Sequence, residues 1–287
     1  MNIETTNAKN TTETAIGFIP CYRLPFFRQK DVEIWNESNL ETMKNMPDNH
    51  IDLTVTSPPY DNLRDYKGYS FPFEEIAKEL YRVTKQGGVV VWVVGDATIK
   101  GSETGTSFRQ ALFFKEIGFN LHDTMIYQKG NPVPLPSNRY NPSFEYMFVL
   151  SKGKPHVFNP ILEPCVSYGK KNKLAHRKGS KGVLENGTGF NKDIHSHKVR
   201  QNVWRILKDY INVVEHPAKF PEQLANDHII SWSNEGDLVY DPFMGSGTTA
   251  KMAIVNKRNW IGSEISGEYC KIIDRRVKDE LSQQDLF

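Results

Sequence analysis

Residues Leu238 to Asn256 read LVYDPFMGSGTTAKMAIVN. The first three form a short apolar run typical of a buried strand, and the stretch from Thr248 onward has the composition of a helix. Between them lie an acid, a proline and two glycines. Glycines at a strand-to-helix turn allow the backbone to approach a bound molecule closely. The stretch therefore predicts an α/β unit whose turn binds a ligand.

Strands and helices alternate on both sides of this unit. Apolar and β-branched runs predict strands at 51–56, 89–94, 121–127, 146–150, 238–240 and 260–263. Helical spacing of apolar residues predicts helices at 73–83 (ending near Gly87-Gly88), 106–117, 220–230, 248–256 and 269–281. This alternation favours an α/β sheet covered by helices on each face. Between Leu150 and about Val213 the periodicity fades, as expected of an insertion with little core of its own.

Composition is ordinary for a globular protein, with 287 residues of which 38% are hydrophobic and 24% charged. No apolar run approaches the roughly 18 residues of a membrane span, and the polar start lacks the layout of a signal peptide. Three widely spaced cysteines fit a reducing cytosol. His195 and His197 lack a third metal ligand nearby. We therefore expect a cytoplasmic protein with no metal and no membrane partner.

Positive charge is concentrated in one part of the chain. Residues 151–212 carry 13 Lys and Arg against 4 Asp and Glu, a balance of +9, whereas the remaining residues have a balance of −7. Charge runs are commonly just solvated surfaces, but this segment also contains aromatic residues, and that mixture suits a phosphate backbone and exposed bases. The candidate DNA contacts are Lys170, Lys171, Lys173, Arg177, Lys178, Lys181, Lys198 and Arg200.

A second short motif, Ser57-Pro58-Pro59-Tyr60, follows the predicted strand 51–56, far upstream of the glycine turn. Taken in this order, the two motifs resemble those of the amino-group DNA methyltransferases of the beta arrangement, in which the Pro-Pro motif precedes the cofactor-binding glycine motif. The resemblance covers roughly residues 51–150 and 216–273. It implies a Rossmann-like methyltransferase fold, with a mixed, mostly parallel sheet flanked by helices and a basic inserted recognition region.

The glycine turn does not fit two other phosphate-binding motifs. No Gly-Lys-Ser/Thr follows it, as a P-loop requires, and the third glycine of a dinucleotide fingerprint would fall at Ala250. Glu264 ends the next predicted strand, 23 positions after Asp241, where an acid can bind ribose hydroxyls. With an amino-acid moiety facing the turn, this combination fits S-adenosyl-L-methionine. The predicted cofactor-binding residues are Asp241, Pro242, Phe243, Gly245, Ser246, Gly247, Thr248 and Glu264.

The segment from His216 to Leu224 reads HPAKFPEQL. It is similar to the family's His-Pro-x-x-Lys-Pro-x-x-Leu segment, in which the start of a helix closes over the cofactor. The resemblance therefore adds Lys219 and Phe220 to the cofactor-binding residues. This chain departs from the pattern in one respect, because Phe220 follows Lys219 and Pro221 comes one place later.

The resemblance also implies the chemistry of the Pro-Pro motif. Exocyclic amines of cytosine and adenine are poor nucleophiles because the nitrogen lone pair is delocalised into the ring. Two acceptors, one for each N–H, would hold the nitrogen so that its lone pair points at the cofactor methyl group. The resemblance assigns these roles to the Ser57 hydroxyl and the Pro58 carbonyl, within a turn made rigid by Pro58 and Pro59. Tyr60 would stack on a base flipped out of the DNA helix.

The predicted function is site-specific methylation of cytosine N4 in double-stranded DNA, within a restriction-modification system. Serine at position 57, where relatives carry Asp or Asn, resembles the subgroup that methylates cytosine. Adenine N6 remains an alternative target, and methylation of RNA or a small molecule, or DNA binding without catalysis, are further alternatives. A cognate restriction endonuclease and a second copy of the chain are the expected protein partners, although nothing in the sequence identifies an interface.

The predicted organisation has four segments. Residues 1–30 form a polar leader and lead-in, and residues 31–150 form the catalytic half of the methyltransferase domain. Residues 151–212 form a target-recognition insert, and residues 213–287 form the cofactor-binding half of the same domain.

Overall fold

The computed structural model describes residues 32–59, 71–130, 138–173, 176–178, 184–186, 190–207 and 221–284. The strands are β1 Val32–Trp35, β2 Ile51–Thr56, β3 Thr84–Val94, β4 Thr98–Ile99, β5 Ser102–Glu103, β6 Asn120–Lys129, β7 Phe144–Ser151, β8 Leu162–Pro164, β9 His176–Lys178, β10 Leu184–Asn186, β11 His197–Val199, β12 Val203–Ile206, β13 Leu238–Asp241 and β14 Asn259–Ser263. The helices are α1 Asn39–Asn45, α2 Phe73–Val83, α3 Thr106–Glu116, α4 Glu222–Trp232, α5 Thr248–Val255 and α6 Gly267–Gln284.

Eight strands form one sheet in the order β1-β14-β13-β2-β3-β7-β6-β12. All neighbours run parallel except β7, which is antiparallel to both β3 and β6. The predicted mixed, mostly parallel sheet is therefore confirmed. The two halves of the chain meet where β13 pairs with β2, so the glycine turn after β13 lies next to the end of β2.

Helices cover both faces of the sheet, and β3 shows why. Its side chains alternate between two buried clusters, with Val89, Val91 and Val93 on one face and Val90, Trp92 and Val94 on the other. A strand buried on both faces reads as a continuous apolar run. The first face packs against α4, α5 and α6, and the second against α1, α2 and α3. This is the layered arrangement that the alternating sequence predicted.

Helix α2 has the predicted bounds because one apolar stripe faces the core, through Ile76, Leu80 and Val83. Only the stop signal was wrong, because the helix ends at Val83, whereas Gly87 and Gly88 lie within β3, which begins at Thr84. Gly87 has φ +80° and its backbone N–H donates to Lys152 O, 2.7 Å away. A Cβ atom at Gly87 would overlap the His156 ring. Gly87 therefore allows β3 to lie close to the segment that follows β7.

The basic segment contributes more to the core than its sequence suggested. Strand β12 lies within it and adds to the edge of the main sheet beside β6, with Trp204 and Ile206 buried. The remaining described strands of the segment form two small antiparallel pairs, β8 with β11 and β9 with β10. Strand β12 therefore belongs to the main sheet, although the sequence assigned its residues to the insertion, and two of its four side chains alternate into the interior of that sheet.

Within the described ranges, no helix has the length and apolar character needed to cross a lipid bilayer. The same residues contain no group of three or more His, Cys, Asp and Glu side chains that could hold a metal ion.

Candidate functional site

Three neighbouring parallel strands, β14, β13 and β2, end at the same edge of the sheet. Ser57 and Pro58 follow β2, the glycine turn follows β13, and Glu264 follows β14. Residues far apart in the sequence are thus brought to one edge by strand order alone. Ligands of open α/β sheets bind outside the carboxyl ends of the strands, so this edge is the candidate site.

Asp241 joins the two motifs. Its Oδ1 accepts hydrogen bonds from the Thr56 hydroxyl at 2.6 Å and from the Phe243 backbone N–H at 3.0 Å. Its Oδ2 accepts from the Thr249 hydroxyl at 2.8 Å. The side chain is only 1% exposed. The sequence predicted that Asp241 faces the cofactor, and these bonds give it a further role, because they hold the end of β2, the turn and the start of α5 together.

Burial raises the pKa of Asp241 from 3.8 to about 6, while the hydrogen bonds from Thr56, Thr249 and Phe243 act in the opposite direction. Removal from water disfavours the charged form, and donors directed at the carboxylate favour it. Here burial outweighs the three donors. The fold therefore maintains a costly buried carboxylate at the junction of its two motifs.

Glu264 lies beside the glycine turn. Its Oε2 accepts from the Gly245 backbone N–H and its Oε1 from the Ser266 backbone N–H, both at 2.8 Å. Burial raises the pKa of this carboxyl group, and the backbone donors Ser266, Gly245 and Ile265 oppose that effect. A carboxylate has about four lone-pair sites, so this one retains capacity for another donor such as a ribose hydroxyl. Glu264 thus fixes the turn and keeps acceptor capacity at the edge.

The glycine turn has a defined shape. Gly245 and Gly247 have φ of +54° and +80°, values that residues with a Cβ rarely adopt. A Cβ atom at Gly247 would lie 3.1 Å from the side chain of Ile273. Ser246 is held by Arg276, whose guanidinium donates to the Ser246 carbonyl and also to Glu222. Helix α6 therefore braces the turn from behind.

The turn leads into α5 through Gly247, and no side chain caps this helix. The first N–H groups of a helix lack intrahelical partners and attract anions. S-adenosyl-L-methionine has two polar ends that need partners. One is the carboxylate of its amino-acid moiety, which suits a helix N-terminus, and the other is the pair of ribose hydroxyl groups, which suit Glu264. The residues at this edge therefore fit the predicted cofactor, since the α5 N-terminus could bind its amino-acid end and Glu264 could bind its ribose.

The other predicted turn residues support the site from its sides. Phe243 makes edge-on contacts with Phe71 and Trp92, with ring centroids 5.7 and 6.2 Å apart. The Pro242 carbonyl accepts a 3.1 Å hydrogen bond from Asn39 of α1. Thr248 is buried at the start of α5. Most of the predicted cofactor residues therefore lie together, and Phe243 also packs against neighbouring aromatic rings.

At the end of β2, Ser57 and Pro59 are half-buried and Pro58 is buried. Tyr60, predicted to stack on the target base, lies outside the described residues, as do Lys219 and Phe220. The structure therefore places the two predicted amine acceptors, Ser57 and Pro58, at the candidate edge.

The predicted DNA contacts differ in exposure and in how far the structure describes them. Lys170, Lys173 and Lys198 are exposed, and Lys171 is exposed but pairs with Asp193 at 2.7 Å. Arg177 and Lys178 belong to β9, and Lys181 lies outside the described residues.

Arg200 differs from these residues. Its side chain is 14% exposed, it pairs with Asp227 at 2.6 Å, and its guanidinium lies 4.5 Å from the ring centroid of Trp204. Glu163 approaches the same guanidinium at 3.6 Å. A half-buried arginine paired with two acids helps to hold β12 and α4 together, so we omit Arg200 from the proposed DNA surface.

Several site residues had no signal in the sequence. Asn36 donates to the Glu264 carbonyl at 2.9 Å, from the loop after β1. Asp96 follows β3 at the same edge and accepts from the Ser107 backbone N–H and hydroxyl at 2.9 and 2.5 Å, which fixes the start of α3. The role of Asn36 is revealed only by its contact with a residue 228 positions away in the same chain, and that of Asp96 only by its position after the end of β3. Thr56 and Thr249 would read from sequence as ordinary strand and helix residues.

Comparison with known proteins agrees with this geometry. The family model described as DNA methylase matches residues 51–275. The orphan methyltransferase M.BamHII of Bacillus amyloliquefaciens is 57% identical over 251 residues, which is 82% of this chain and 92% of that protein. The Type II methyltransferase M.BglII of Bacillus subtilis is 28% identical, over 91% of this chain and 73% of that protein.

Solved structures share the fold. The M1.HpyAVI–S-adenosyl-L-methionine complex is 23% identical with a TM-score of 0.59, over 85% of this chain and 99% of that chain. The cytosine-N4-specific PvuII DNA methyltransferase is 21% identical with a TM-score of 0.61, over 89% of this chain and 93% of that chain. This chain therefore belongs to the S-adenosyl-L-methionine-dependent DNA methylases that modify the N4 amine of cytosine or the N6 amine of adenine.

Proposed function

We propose that this chain methylates cytosine N4 in double-stranded DNA, on a base turned out of the helix. The observation that carries the catalytic assignment is the position of Ser57 and Pro58, at the end of β2 and directly beside the glycine turn. The bond from Thr56 to Asp241 fixes the two motifs relative to each other. An amine held by the first motif would therefore lie next to a cofactor held by the second.

S-adenosyl-L-methionine, when bound, supplies an electrophilic methyl group on its sulfonium sulfur. The protein's contribution is mainly positioning. The Ser57 hydroxyl and the Pro58 carbonyl would each accept one N–H of the target amine, which turns the nitrogen lone pair out of conjugation. The fixed φ of proline keeps the Pro58 carbonyl in place. No side chain of the protein needs to become covalently attached to the substrate in this scheme.

The choice of cytosine rests on Ser57, because serine at this position resembles the subgroup that methylates cytosine. Serine, aspartate and asparagine can each accept one amine hydrogen bond, so this residue alone does not set the size of the base pocket. Adenine N6 is therefore the second candidate. Methylating unmodified DNA in vitro, digesting it to nucleosides and separating them by mass spectrometry distinguishes the two. N4-methylcytosine supports the proposal, and N6-methyladenine without N4-methylcytosine refutes the cytosine assignment.

We place target recognition in the basic segment, residues 151–212, through exposed lysines such as Lys170, Lys173 and Lys198. A non-catalytic DNA-binding role is disfavoured because the sequence contains both motifs and the described Ser57 and Pro58 lie beside the glycine turn. Cytoplasmic location is inferred from the bacterial relatives.

Two protein partners are considered, a cognate restriction endonuclease and a second copy of the chain. M.BamHII is described as an orphan methyltransferase and M.BglII as a Type II methyltransferase. Similarity to the orphan enzyme favours a methyltransferase that works without a cognate endonuclease. Similarity to the Type II enzyme favours one that works beside an endonuclease. Self-association is tested by sedimentation at micromolar concentrations, where a monomer throughout would exclude a stable homodimer.

A further inference from the structure

The loop before β7 lies at the catalytic edge of the sheet. Because β7 runs antiparallel to β3, its first residues lie where the parallel strands end. Phe144 begins β7 and pairs with Gln128, near the carboxyl end of β6. The described residues 138–143 therefore project from the edge that carries Ser57 and the glycine turn. Only β3 separates β7 from β2, so two strand spacings, about 10 Å, separate their backbones.

This loop is anchored at two points. At its base, the Lys129 backbone N–H donates to the Ser143 carbonyl at 2.7 Å, and the Lys129 ammonium pairs with Glu145 at 2.8 Å. Near its tip, the Arg139 guanidinium donates to the Gly101 carbonyl at 2.5 Å and lies 4.0 Å from Glu103. The loop is therefore bonded to both β6 and the small β4–β5 hairpin.

The hairpin that receives Arg139 is itself tightly built. Its two turn residues, Lys100 and Gly101, have φ of +50° and +81°, as expected of a two-residue type I′ turn between paired strands. The Gly101 carbonyl that accepts from Arg139 belongs to this turn. Such a support limits the movement of the residue that follows Arg139.

That residue is Tyr140, whose side chain is 99% exposed. Burying or stacking a tyrosine ring is favourable, and large aromatic side chains usually lie in cores or at interfaces. Here an anchored backbone holds the ring entirely in solvent, beside a site that must act on a base within duplex DNA. The exposed ring and the anchored loop together favour a contact that forms only when DNA is bound.

Extruding a base leaves a gap in the stack, and closing that gap is part of the cost of flipping. Proteins that deform DNA commonly insert a side chain between base steps, and aromatic rings stack on bases of any sequence. We propose that Tyr140 enters the space vacated by the target base and stacks on the neighbouring bases, holding the target in its flipped position. The proposal rests on the proposed function only in requiring that the base be flipped from a duplex, and it holds for cytosine or adenine.

The test compares Tyr140→Ala with Tyr140→Phe and Tyr140→Trp in the full-length protein. The substrates are duplexes that carry the recognition sequence, identified beforehand by sequencing the modified DNA of a host that expresses the chain. One duplex is fully paired, and the other has the target base opposite a mismatch, which lowers the cost of extrusion. Total methyl transfer is measured as kcat/KM with radiolabelled cofactor, so that the result does not depend on which base is modified.

We expect Tyr140→Ala to lose about tenfold or more in kcat/KM on the paired duplex, as stacking energies imply. On the mismatched duplex the loss should be much smaller. Tyr140→Phe and Tyr140→Trp should stay near the parent protein on both. A paired duplex with a fluorescent analogue of the target base (pyrrolocytosine for cytosine, 2-aminopurine for adenine) should show a smaller fluorescence increase with Tyr140→Ala than with the parent.

Tyr168→Ala serves as a matched control, since Tyr168 is an exposed tyrosine of the basic segment, at 66% exposure. A loss at Tyr168 should be equal on the paired and mismatched duplexes. An equal loss by Tyr140→Ala on both duplexes would overturn the proposal, as would full activity on the paired one. A change in oligomeric state on sedimentation, without the difference between duplexes, would also overturn it and assign Tyr140 to contact with a second copy.

Discussion

Thr56 and Asp241 are 185 positions apart in the chain, yet the Thr56 hydroxyl donates a 2.6 Å hydrogen bond to the Asp241 carboxylate. One residue ends the strand that leads to Ser57, and the other begins the glycine turn. The bond is fully buried. It couples the predicted amine-binding motif to the predicted cofactor-binding motif, so that neither can shift without the other.

Thr56→Val removes this hydroxyl and leaves shape nearly unchanged. One bond to a buried carboxylate is removed, so the free energy of unfolding should fall by about 1–3 kcal/mol. Thr54 provides the control on the same strand, because its buried hydroxyl oxygen has no hydrogen-bond partner in the described structure. Thr54→Val should leave stability unchanged or raise it. Equal urea-unfolding midpoints and slopes for the two variants would mean that the Thr56 bond does not stabilise the fold.

Asp241 should give the fold a distinctive pH dependence. Its pKa is raised from 3.8 to about 6, so the folded protein binds this proton more tightly than the unfolded chain does. The stability from Asp241 is therefore full below about pH 4 and is lost as the pH rises through about 6. Asp241→Asn stays uncharged. Between about pH 4 and pH 7 the parent should lose on the order of 3 kcal/mol relative to this variant.

Urea unfolding of the parent and of Asp241→Asn at a series of pH values measures this difference. The exposed Asp279→Asn is the surface control. Stability curves for the parent and Asp241→Asn that run parallel across this range would show that Asp241 ionises in the folded protein as it does in the unfolded chain.

Glu264→Gln tests the cofactor site. The amide keeps an oxygen acceptor but loses the charge and one acceptor, so affinity for S-adenosyl-L-methionine should fall by about tenfold or more. Glu268, exposed in the first turn of α6, is the matched control, and Glu268→Gln should bind as the parent does. Isothermal calorimetry gives both dissociation constants. Unchanged affinity of Glu264→Gln would move the ribose contact to another residue.

The salt dependence of DNA binding tests the basic segment. Replacing Lys170, Lys173 and Lys198 with Gln should reduce the slope of log affinity against log salt by about 0.9 for each phosphate that these lysines neutralise in the parent. A control triple variant changes exposed lysines of three helices, Lys78, Lys115 and Lys271. Fluorescence anisotropy at several salt concentrations measures both slopes. A slope that falls equally in both variants would show that positive charge acts without regard to position.

The sequence predicted the fold where periodicity was strong. Helix α2 was predicted with the bounds it has because Ile76, Leu80 and Val83 repeat at helical spacing and face one core. Strand β3 was found from its continuous apolar run, although its first five residues were not. In contrast, β12 has only four residues, and of its two exposed positions, Val203 and Arg205, only Arg205 is polar, so it shows no clear alternation of polar and apolar residues. Local pattern could not distinguish it from a loop, since pairing with β6 is what defines it.

The site was predictable to the extent that it consists of motifs. Ser57, Gly245 and Glu264 come from segments that the sequence singled out, and the sheet brings those segments to one edge. The roles of single side chains were less accessible, because they depend on distant partners. Arg200 looks like any other basic residue of its segment until Asp227 and Trp204 are seen beside it. The structural role of Asp241 was likewise invisible until Thr56 and Thr249 were found on its oxygens, and its contact with the cofactor stays a prediction.

The most direct test of the account is the rate of methyl transfer by Ser57→Ala in a single turnover, with enzyme and cofactor in excess over DNA. If the Ser57 hydroxyl accepts one N–H of the target amine, this rate should fall by about 100-fold or more, as when one oriented hydrogen-bonding group is removed from a transition state. Melting temperature and cofactor affinity should match the parent. A Ser57→Ala rate within about threefold of the parent, roughly 0.7 kcal/mol in the barrier, would contradict the assignment of Ser57 to the target amine.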